Sequence, residues 1–179
     1  HGLLGEGVEV GVADATYSSQ IMNQWEGSCL HLVDLWDVDP RNRDCSQVST
    51  ELQETRHREA KNRMNRFGDR ICFHKTDSIL AAQNFSDESL DFVYLDADHS
   101  LSSVQEELRV WFPKIRPGGL FAGHDFLDGA TDECEFGVKS AVEAWEAQSG
   151  YCVASTAESN FATWYVFKRP DWKLDPLQL

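Results

Sequence analysis

Short apolar runs alternate with helical patterns along almost the whole chain, and this alternation limits the possible fold more than any other feature. The run 90–95 is apolar at every position except Asp91. Strands this apolar are buried on both faces, which is typical of a parallel sheet covered by helices. The runs that we predict to be strands are 8–12, 30–34, 70–74, 90–95, 120–123, 152–155 and 161–167.

Helical patterns separate most of these runs. They predict helices over 18–26, 46–67, 77–83, 101–115 and 138–145. The last two strands have no room for a helix between them, so we expect an antiparallel hairpin there. With no internal repeat and no linker, the sequence predicts one α/β domain over 1–169, followed by a C-terminal tail over 170–179.

The composition narrows the possible partners. The chain has 179 residues, with 16 Lys and Arg against 30 Asp and Glu, which gives a formal net charge of −14. Such a surface repels phosphate backbones and anionic lipid, so we expect neither nucleic acid nor membrane as a partner. No apolar run approaches the roughly 20 residues of a membrane-spanning helix. Cationic substrates and divalent metals suit this charge better.

The number and spacing of the cysteines indicate mainly the cellular compartment of the protein. The five are odd in number, widely spaced and without a C-x-x-C pair, which argues against a disulfide framework or a zinc cluster. This usage favours a reducing interior, so we predict a cytoplasmic location. Cys29, Cys72 and Cys152 lie in or beside apolar stretches and are predicted to fill the core.

Acidic residues follow every central strand. Ligands of open parallel sheets bind beyond the carboxyl ends of the strands, and a charged residue buried there is costly unless it binds something. Five acids in corresponding positions therefore indicate a site. They are Glu9, Asp34, Asp77, Asp96 and Asp125.

Asp34 and the loop after the first strand indicate the class of cofactor. An acid at the end of the second strand is placed to bind two ribose hydroxyls. A dinucleotide site would also need a G-x-G-x-x-G loop, but only Gly11 is present, and Asp14 would repel a diphosphate. The sequence thus favours an adenosine cofactor without phosphates, and S-adenosylmethionine fits because its sulfonium is positively charged.

Five segments together resemble the class I S-adenosylmethionine-dependent methyltransferases, and in particular a small group with the pattern DADHS…PGG…GHD. These segments are 8–11 (VEVG), 34–36 (DLW), 94–100 (YLDADHS), 113–119 (PKIRPGG) and 123–126 (GHDF). The resemblance implies a Rossmann-like three-layer sandwich. Its mostly parallel seven-stranded sheet would have the order 3-2-1-4-5-7-6 and end in an antiparallel hairpin.

The resemblance also implies residue roles in cofactor binding. Glu9 would lie near the methionine part, Trp36 against the adenine face, and Asp77 would accept the adenine amino group. The alternatives are structural: a buried acid holding the loop, rim packing and a helix N-cap. The full set of implied cofactor contacts is Glu9, Gly11, Asp34, Leu35, Trp36, Asp77, Ser78 and Asp96.

Further implied roles concern catalysis and metal binding. We predict His99 as the general base, with Asp98 beside it, because an imidazole can take a proton from a hydroxyl near neutral pH. Asp96, His124 and Asp125 match the positions that hold Mg²⁺ in related metal-dependent O-methyltransferases. A histidine among them shifts the preference from Mg²⁺ towards Mn²⁺, Fe²⁺, Zn²⁺ or no metal.

Three departures from the family pattern leave alternatives open. Ala15 stands near a usual glycine, Tyr17 replaces a small hydroxyl residue, and the first strand begins about seven residues into the sequence. We therefore expect either a trimmed domain or an unusually open site. The predicted activity is methyl transfer to a hydroxyl oxygen of a small molecule or sugar, with a homo-oligomer possible. A non-catalytic cofactor-binding or scaffold domain is the alternative, and a nucleotide-dependent oxidoreductase is disfavoured.

Overall fold

A computed structural model describes residues 2–39, 48–130, 135–158 and 161–170 of the chain. Its main sheet has seven strands, five of them parallel, with helices on both faces. Within the described residues the nine strands are β1 (Glu6–Val10), β2 (Cys29–Asp34), β3 (Ile71–Lys75), β4 (Leu90–Leu95), β5 (Ile115–Gly123), β6 (Asp128–Ala130), β7 (Glu135–Gly137), β8 (Ala154–Ser155) and β9 (Trp164–Phe167).

The order of the main sheet is β3-β2-β1-β4-β5-β9-β8, with β9 antiparallel to β5 and to β8. When only the strands of this sheet are numbered, the order is the expected 3-2-1-4-5-7-6. The labels differ because β6 and β7 form a separate two-stranded sheet that the sequence analysis did not predict. The fold class is confirmed.

In the part of the chain that the structure describes, five α-helices connect the strands, and their bounds differ from the predicted ones. The predicted fourth helix ends early: a short 3₁₀ turn follows Trp111, and Ile115 begins β5 instead of closing the helix. Proline at 113 causes this ending, because it cannot continue the helical hydrogen bonds. The helices are α1 (Thr16–Gln24), α2 (Thr50–Met64), α3 (Ser78–Ala82), α4 (Leu101–Trp111) and α5 (Val138–Ser149).

The core forms two layers, one on each face of the sheet. On one face, Met22 of α1 and Met64 of α2 pack with Leu30 and Leu32 of β2. The other face is covered by α3, α4 and α5, whose apolar side chains pack against the central strands. Within the described ranges, no helix is long and apolar enough to cross a membrane.

The last described strand is fixed to the sheet by a buried cation. Lys168, which follows β9, is 2% exposed, and its Nζ donates to the carbonyl oxygen of Ile115 at 2.7 Å. Backbone bonds also join Lys168 to Gly118 and Gly119. The C-terminal strand therefore closes directly over the beginning of β5. Of the predicted tail, 171–179 lies outside the described residues.

Candidate active site

A cleft of about 970 Å³ opens at the carboxyl ends of the parallel strands, where the sequence predicted a ligand. Tyr17 lies on its wall against Tyr94, with ring centroids 4.7 Å apart, and the cleft stays open beside it. Nine of the predicted site residues line this cleft: Glu9, Gly11, Asp34, Leu35, Asp77, Ser78, Asp96, Asp98 and His99.

The loop after β1 is shaped by residues in the left-handed region. Gly11 has φ +85°, and a Cβ there would overlap the backbone carbonyl of Asp96. The backbone of β4 therefore passes directly against this loop, and only glycine fits. Ala13 (φ 50°) and Ala15 (φ 62°) are also left-handed, so alanine occupies the backbone conformation that glycine adopts most readily.

Asp34 holds this loop from the end of β2. Its Oδ2 accepts hydrogen bonds from the backbone amides of Val12 (2.8 Å) and Ala13 (2.9 Å), and its Oδ1 accepts one from Trp36 (2.7 Å). A carboxylate has about four lone-pair sites, so roughly one remains for a ligand. The same side chain thus shapes the loop and faces the cleft.

Trp36 lies outside the cleft, contrary to the role predicted for it. Its side chain is fully buried, its ring stacks on His57 at 4.3 Å, and its Nε1 donates to the carbonyl of Ala13 at 2.8 Å. The backbone of Trp36 is in the left-handed region (φ 43°), and its side chain packs against the loop that follows β1. Trp36 is therefore a residue of the core, and it lies neither against the adenine face nor at the rim, the two positions predicted for it.

Glu9 is a buried carboxyl at the floor of the cleft. It is 1% exposed, and its Oε2 has no hydrogen-bond partner among the described residues. Burial, together with the nearby charges of Asp96 and Asp34, raises the pKa of Glu9 to about 8. A cationic or hydrogen-bond-donating ligand at this position would satisfy the unpaired oxygen.

The lining of the cleft contains an acid that the sequence analysis missed, Glu107, which lies near Asp77. Asp77 accepts hydrogen bonds from the amides of Ile79 and Leu80 and caps α3, as one of the two predicted roles required. Behind it, Glu107 of α4 is 4% exposed, and burial raises its pKa to about 8. The available signal was its position on the apolar face of α4, three residues after Val104 and four before Trp111.

Two histidines and two acids meet at the ends of β4 and β5. Asp125 Oδ2 lies 2.8 Å from His99 Nε2, and Asp125 Oδ1 lies 3.0 Å from His124 Nδ1. Asp96 Oδ1 is 3.4 Å from His99 Nε2 and 3.9 Å from His124 Nδ1. Adjacent parallel strands bring this cluster together, although 96 and 125 are far apart in sequence.

The charges in this cluster reinforce one another. Burial alone would raise the pKa of Asp125, but hydrogen bonds from His124 and His99 hold that pKa well below its usual range. The hydrogen bond to Asp125 raises the pKa of His124 above its ordinary value. Asp125 is therefore a stable anion to which both imidazoles are bound.

The donor set of this cluster fits a divalent transition metal. One ligand atom from each of Asp96, His124 and Asp125 lies within 4.8 Å of the others. Two carboxylates and an imidazole suit Mn²⁺ or Fe²⁺ better than Mg²⁺, which prefers oxygen ligands only.

His99 and Asp98 have different surroundings. His99 is covered by the β6–β7 hairpin, where Phe136 stacks on its ring at 5.1 Å and Gly137 donates to its carbonyl. The Asp98 carboxylate binds the first turn of α4, with Oδ1 accepting from the Ser100 amide and Oδ2 from the Ser103 hydroxyl. The structure thus gives Asp98 a helix-capping role and does not support the predicted catalytic one.

The charge of the cleft is strongly one-sided. Among the described residues, ten acidic side chains line it, against a single arginine, Arg56. A diphosphate would be repelled by this lining, whereas a cationic ligand is attracted to it. This charge distribution agrees with the sequence of the loop after β1, which already argued against a dinucleotide cofactor.

Comparison with known sequences identifies the family. The sequence profile of a family described as a methyltransferase domain matches residues 7–126, which is more than half of the chain. The matched range includes the acids of the cleft and the group formed by Asp96, His99, His124 and Asp125. The chain belongs to this methyltransferase family. No curated protein sequence is significantly similar to the chain.

Solved structures share the fold of this methyltransferase domain at low sequence identity. An O-methyltransferase family protein from Burkholderia thailandensis has a TM-score of 0.68 and 14% identity over 93% of this chain and 52% of that one. An O-methyltransferase from Bacillus cereus in complex with SAH has a TM-score of 0.60 and 14% identity, over 91% and 74%. Spermidine synthase from Thermotoga maritima has a TM-score of 0.62 and 15% identity, over 96% and 55%.

The chain spans about half the length of two of these structures. Since the fold is also that of a spermidine synthase, the fold alone does not distinguish methyl transfer from other group transfers. The family match carries the assignment as a methyltransferase domain.

Proposed function

We propose that this domain transfers a methyl group from S-adenosylmethionine to a hydroxyl oxygen of a small molecule or sugar. The observation that carries the proposal is the buried Glu9 carboxyl, whose Oε2 has no hydrogen-bond partner, in a cleft that the described residues line with ten acids and one arginine. Such a site favours a cation, and S-adenosylmethionine has a sulfonium and an ammonium group. The B. cereus neighbour, which was solved with SAH, supports this choice of cofactor.

The proposed binding mode uses the acids at the strand ends. Asp34 would accept a hydrogen bond from a ribose hydroxyl with the lone pair that its loop amides leave. Asp77 and Ser78 line the part of the cleft beside α3, where the adenine would lie. Glu9 would face the methionine part, where the bound positive charge favours its ionised form.

The proposed chemistry is in-line displacement. S-adenosylmethionine supplies an electrophilic methyl group and leaves as S-adenosylhomocysteine. His99 is the proposed base for the acceptor hydroxyl proton, and Asp125 at 2.8 Å holds the imidazole and stabilises its protonated form. The cleft orients the two reactants, and proximity supplies much of the acceleration.

A divalent metal is a further part of the proposal. Asp96, His124 and Asp125 would hold it, and it would lower the pKa of the acceptor hydroxyl and fix its orientation. Because the donor set contains an imidazole, we expect Mn²⁺ to support activity better than Mg²⁺. The cytoplasmic location and a homo-oligomeric state stay predictions.

Calorimetric titration of S-adenosylmethionine and S-adenosylhomocysteine tests the proposal directly. Asp34→Asn is the informative variant, because it keeps the shape of the side chain and removes its charge, while its amide nitrogen leaves at least one of the three bound backbone amides without an acceptor. Asp37→Asn, three residues after Asp34 and also lining the cleft, is the matched control. We expect micromolar binding by wild type and by the control, and at least about tenfold weaker binding by Asp34→Asn. Well-folded wild-type protein that binds neither compound would overturn the proposal and favour the non-catalytic alternative.

The acceptor and metal parts need a second measurement. Release of S-adenosylhomocysteine is followed with a panel of hydroxyl-bearing acceptors, with Mn²⁺, with Mg²⁺ and with a chelator. We expect turnover with a hydroxyl acceptor, highest with Mn²⁺, and its loss in His99→Gln with cofactor binding retained. Turnover that is indifferent to the chelator would refute the metal part alone.

A further inference from the structure

A second cluster of ligand atoms lies at the opposite end of the sheet from the cleft. Cys29 and His31 belong to β2, and Cys72 belongs to β3, where it is the register partner of His31. Cys29 pairs in turn with Glu6, at the beginning of β1. Since alternate residues of a strand share a face, these side chains all lie on one face of the sheet.

The spacing of the three potential ligand atoms is that of a soft-metal site. The Sγ atoms of Cys29 and Cys72 are 3.3 Å apart, and one ligand atom from each of the two cysteines and His31 lies within 4.8 Å of the others. Two sulfurs that are each about 2.3 Å from a tetrahedral zinc ion are roughly 3.8 Å apart. A shift of about half an ångström would therefore admit the ion.

The two ring nitrogens of His31 have different surroundings. His31 Nδ1 lies 2.9 Å from His74 Nε2. His31 Nε2 is 3.4 Å from the Glu6 carboxylate, yet it is buried and makes no hydrogen bond within the described part of the chain. One ring nitrogen held by a neighbour and the other available is the usual arrangement of a histidine that binds a metal.

We propose that Cys29, Cys72 and His31 bind one thiophilic divalent cation, with Zn²⁺ as the favoured ion and Glu6 or water as the fourth ligand. Binding forms two metal–sulfur bonds and one metal–nitrogen bond and releases the two thiol protons to solvent, with no change of oxidation state. The ion would join β2 to the edge strand β3. It lies at the amino-terminal side of the sheet, so its role is structural and independent of the proposed methyl transfer.

The sequence spacing argued against a zinc cluster because the two cysteines are 43 positions apart. The register between β2 and β3 is what brings them together. Both thiols are half-buried, whereas Cys152 is exposed, contrary to the core positions predicted for all three. Cys152 is therefore a natural control, while Cys45 and Cys134 lie outside the described residues.

Cobalt spectroscopy provides the first test, because Co²⁺ in a tetrahedral thiolate site gives intense visible bands that the carboxylate-rich cluster of Asp96 does not give. The reduced, metal-free protein is titrated with Co²⁺ and then with Zn²⁺. We expect the bands to saturate at one equivalent and to disappear when Zn²⁺ displaces the cobalt. Cys29→Ser and Cys72→Ser should each abolish the bands, and Cys152→Ser should leave them unchanged.

Alkylation mapped by mass spectrometry provides a second test on the wild-type protein, so it does not depend on how well a variant folds. We expect one equivalent of Zn²⁺ to protect Cys29 and Cys72 at least about tenfold and to leave Cys152 as reactive as before. Equal labelling of all three with and without Zn²⁺ would overturn the proposal. So would an air-oxidised Cys29–Cys72 disulfide in a protein whose reduced form binds no metal. Neither test needs the cofactor, so its result is separate from that of the proposed function.

Discussion

Glu107 makes the stability of this domain depend on pH in a direction opposite to that of most carboxylates. It is 4% exposed, and burial raises its pKa from 4.5 in the unfolded chain to about 8 in the folded one. The folded state therefore keeps a proton that the unfolded state releases. Stability from this group is fully present below pH 4.5 and is lost as the pH rises towards 8.

The magnitude follows from the two pKa values. Each unit of difference corresponds to about 1.4 kcal/mol, so ionisation of Glu107 removes roughly 5 kcal/mol between pH 4.5 and pH 8. Glu107→Gln has no proton to release. We expect its free energy of unfolding, relative to wild type, to rise by about 1.4 kcal/mol per pH unit across this range. Any constant effect of the amide on packing shifts all points equally and leaves the slope unchanged.

Urea denaturation at pH 5, 6, 7 and 8 measures this slope. Glu9 also has a raised pKa, but it is present in both proteins and cancels in the comparison. Glu106→Gln is the matched control, since Glu106 directly precedes Glu107 on α4 and its side chain is 53% exposed. A difference between Glu107→Gln and wild type that is constant within about 1 kcal/mol from pH 5 to pH 8 would refute the reasoning.

Two other substitutions test the backbone and a buried ion pair. Gly11→Ala should destabilise the domain by at least about 2 kcal/mol and abolish cofactor binding, because the added Cβ would overlap the Asp96 carbonyl. Thermal unfolding and calorimetric titration of the cofactor that are unchanged from wild type would contradict this. Asp91→Ala should cost about 3 kcal/mol in urea denaturation, since Asp91 is buried, pairs with Arg116 at 2.5 Å and accepts from the Gly5 amide at 2.6 Å. Arg109→Ala, an exposed control on α4, should change stability by less than about 0.5 kcal/mol.

The strand-end acids show what the sequence determines well. The carboxyl ends of parallel strands must meet, so acids placed there come together whatever the exact bounds of the strands. This is why Asp34 and Asp96 line one cleft, and why Asp96 and Asp125 form one cluster with His99 and His124. The alternation of strands and helices also predicts the layers, whereas the strand order was implied only by the family resemblance.

The roles of Trp36, Asp98 and Glu107 depend on three-dimensional contacts that the sequence pattern does not show. The resemblance implies that Trp36 lies against the adenine, but its side chain is buried in the core and its backbone is left-handed. Asp98 was grouped with His99 by adjacency, yet its carboxylate binds the first turn of α4. Glu107 was hidden on a helix face that otherwise predicts only core packing.

The antiparallel strand β9 has a consequence for how the chain acquires its structure on the ribosome. Synthesis proceeds from the N-terminus, so β1 to β4, which surround the cleft, are available long before β9 emerges. Until Trp164 and Lys168 have been made, β5 is an uncovered sheet edge, and Phe121, which is fully buried in the finished domain, lacks its neighbour. A nascent or truncated chain that stops short of β9 would present this apolar edge to other chains, which makes premature termination an aggregation hazard for this domain.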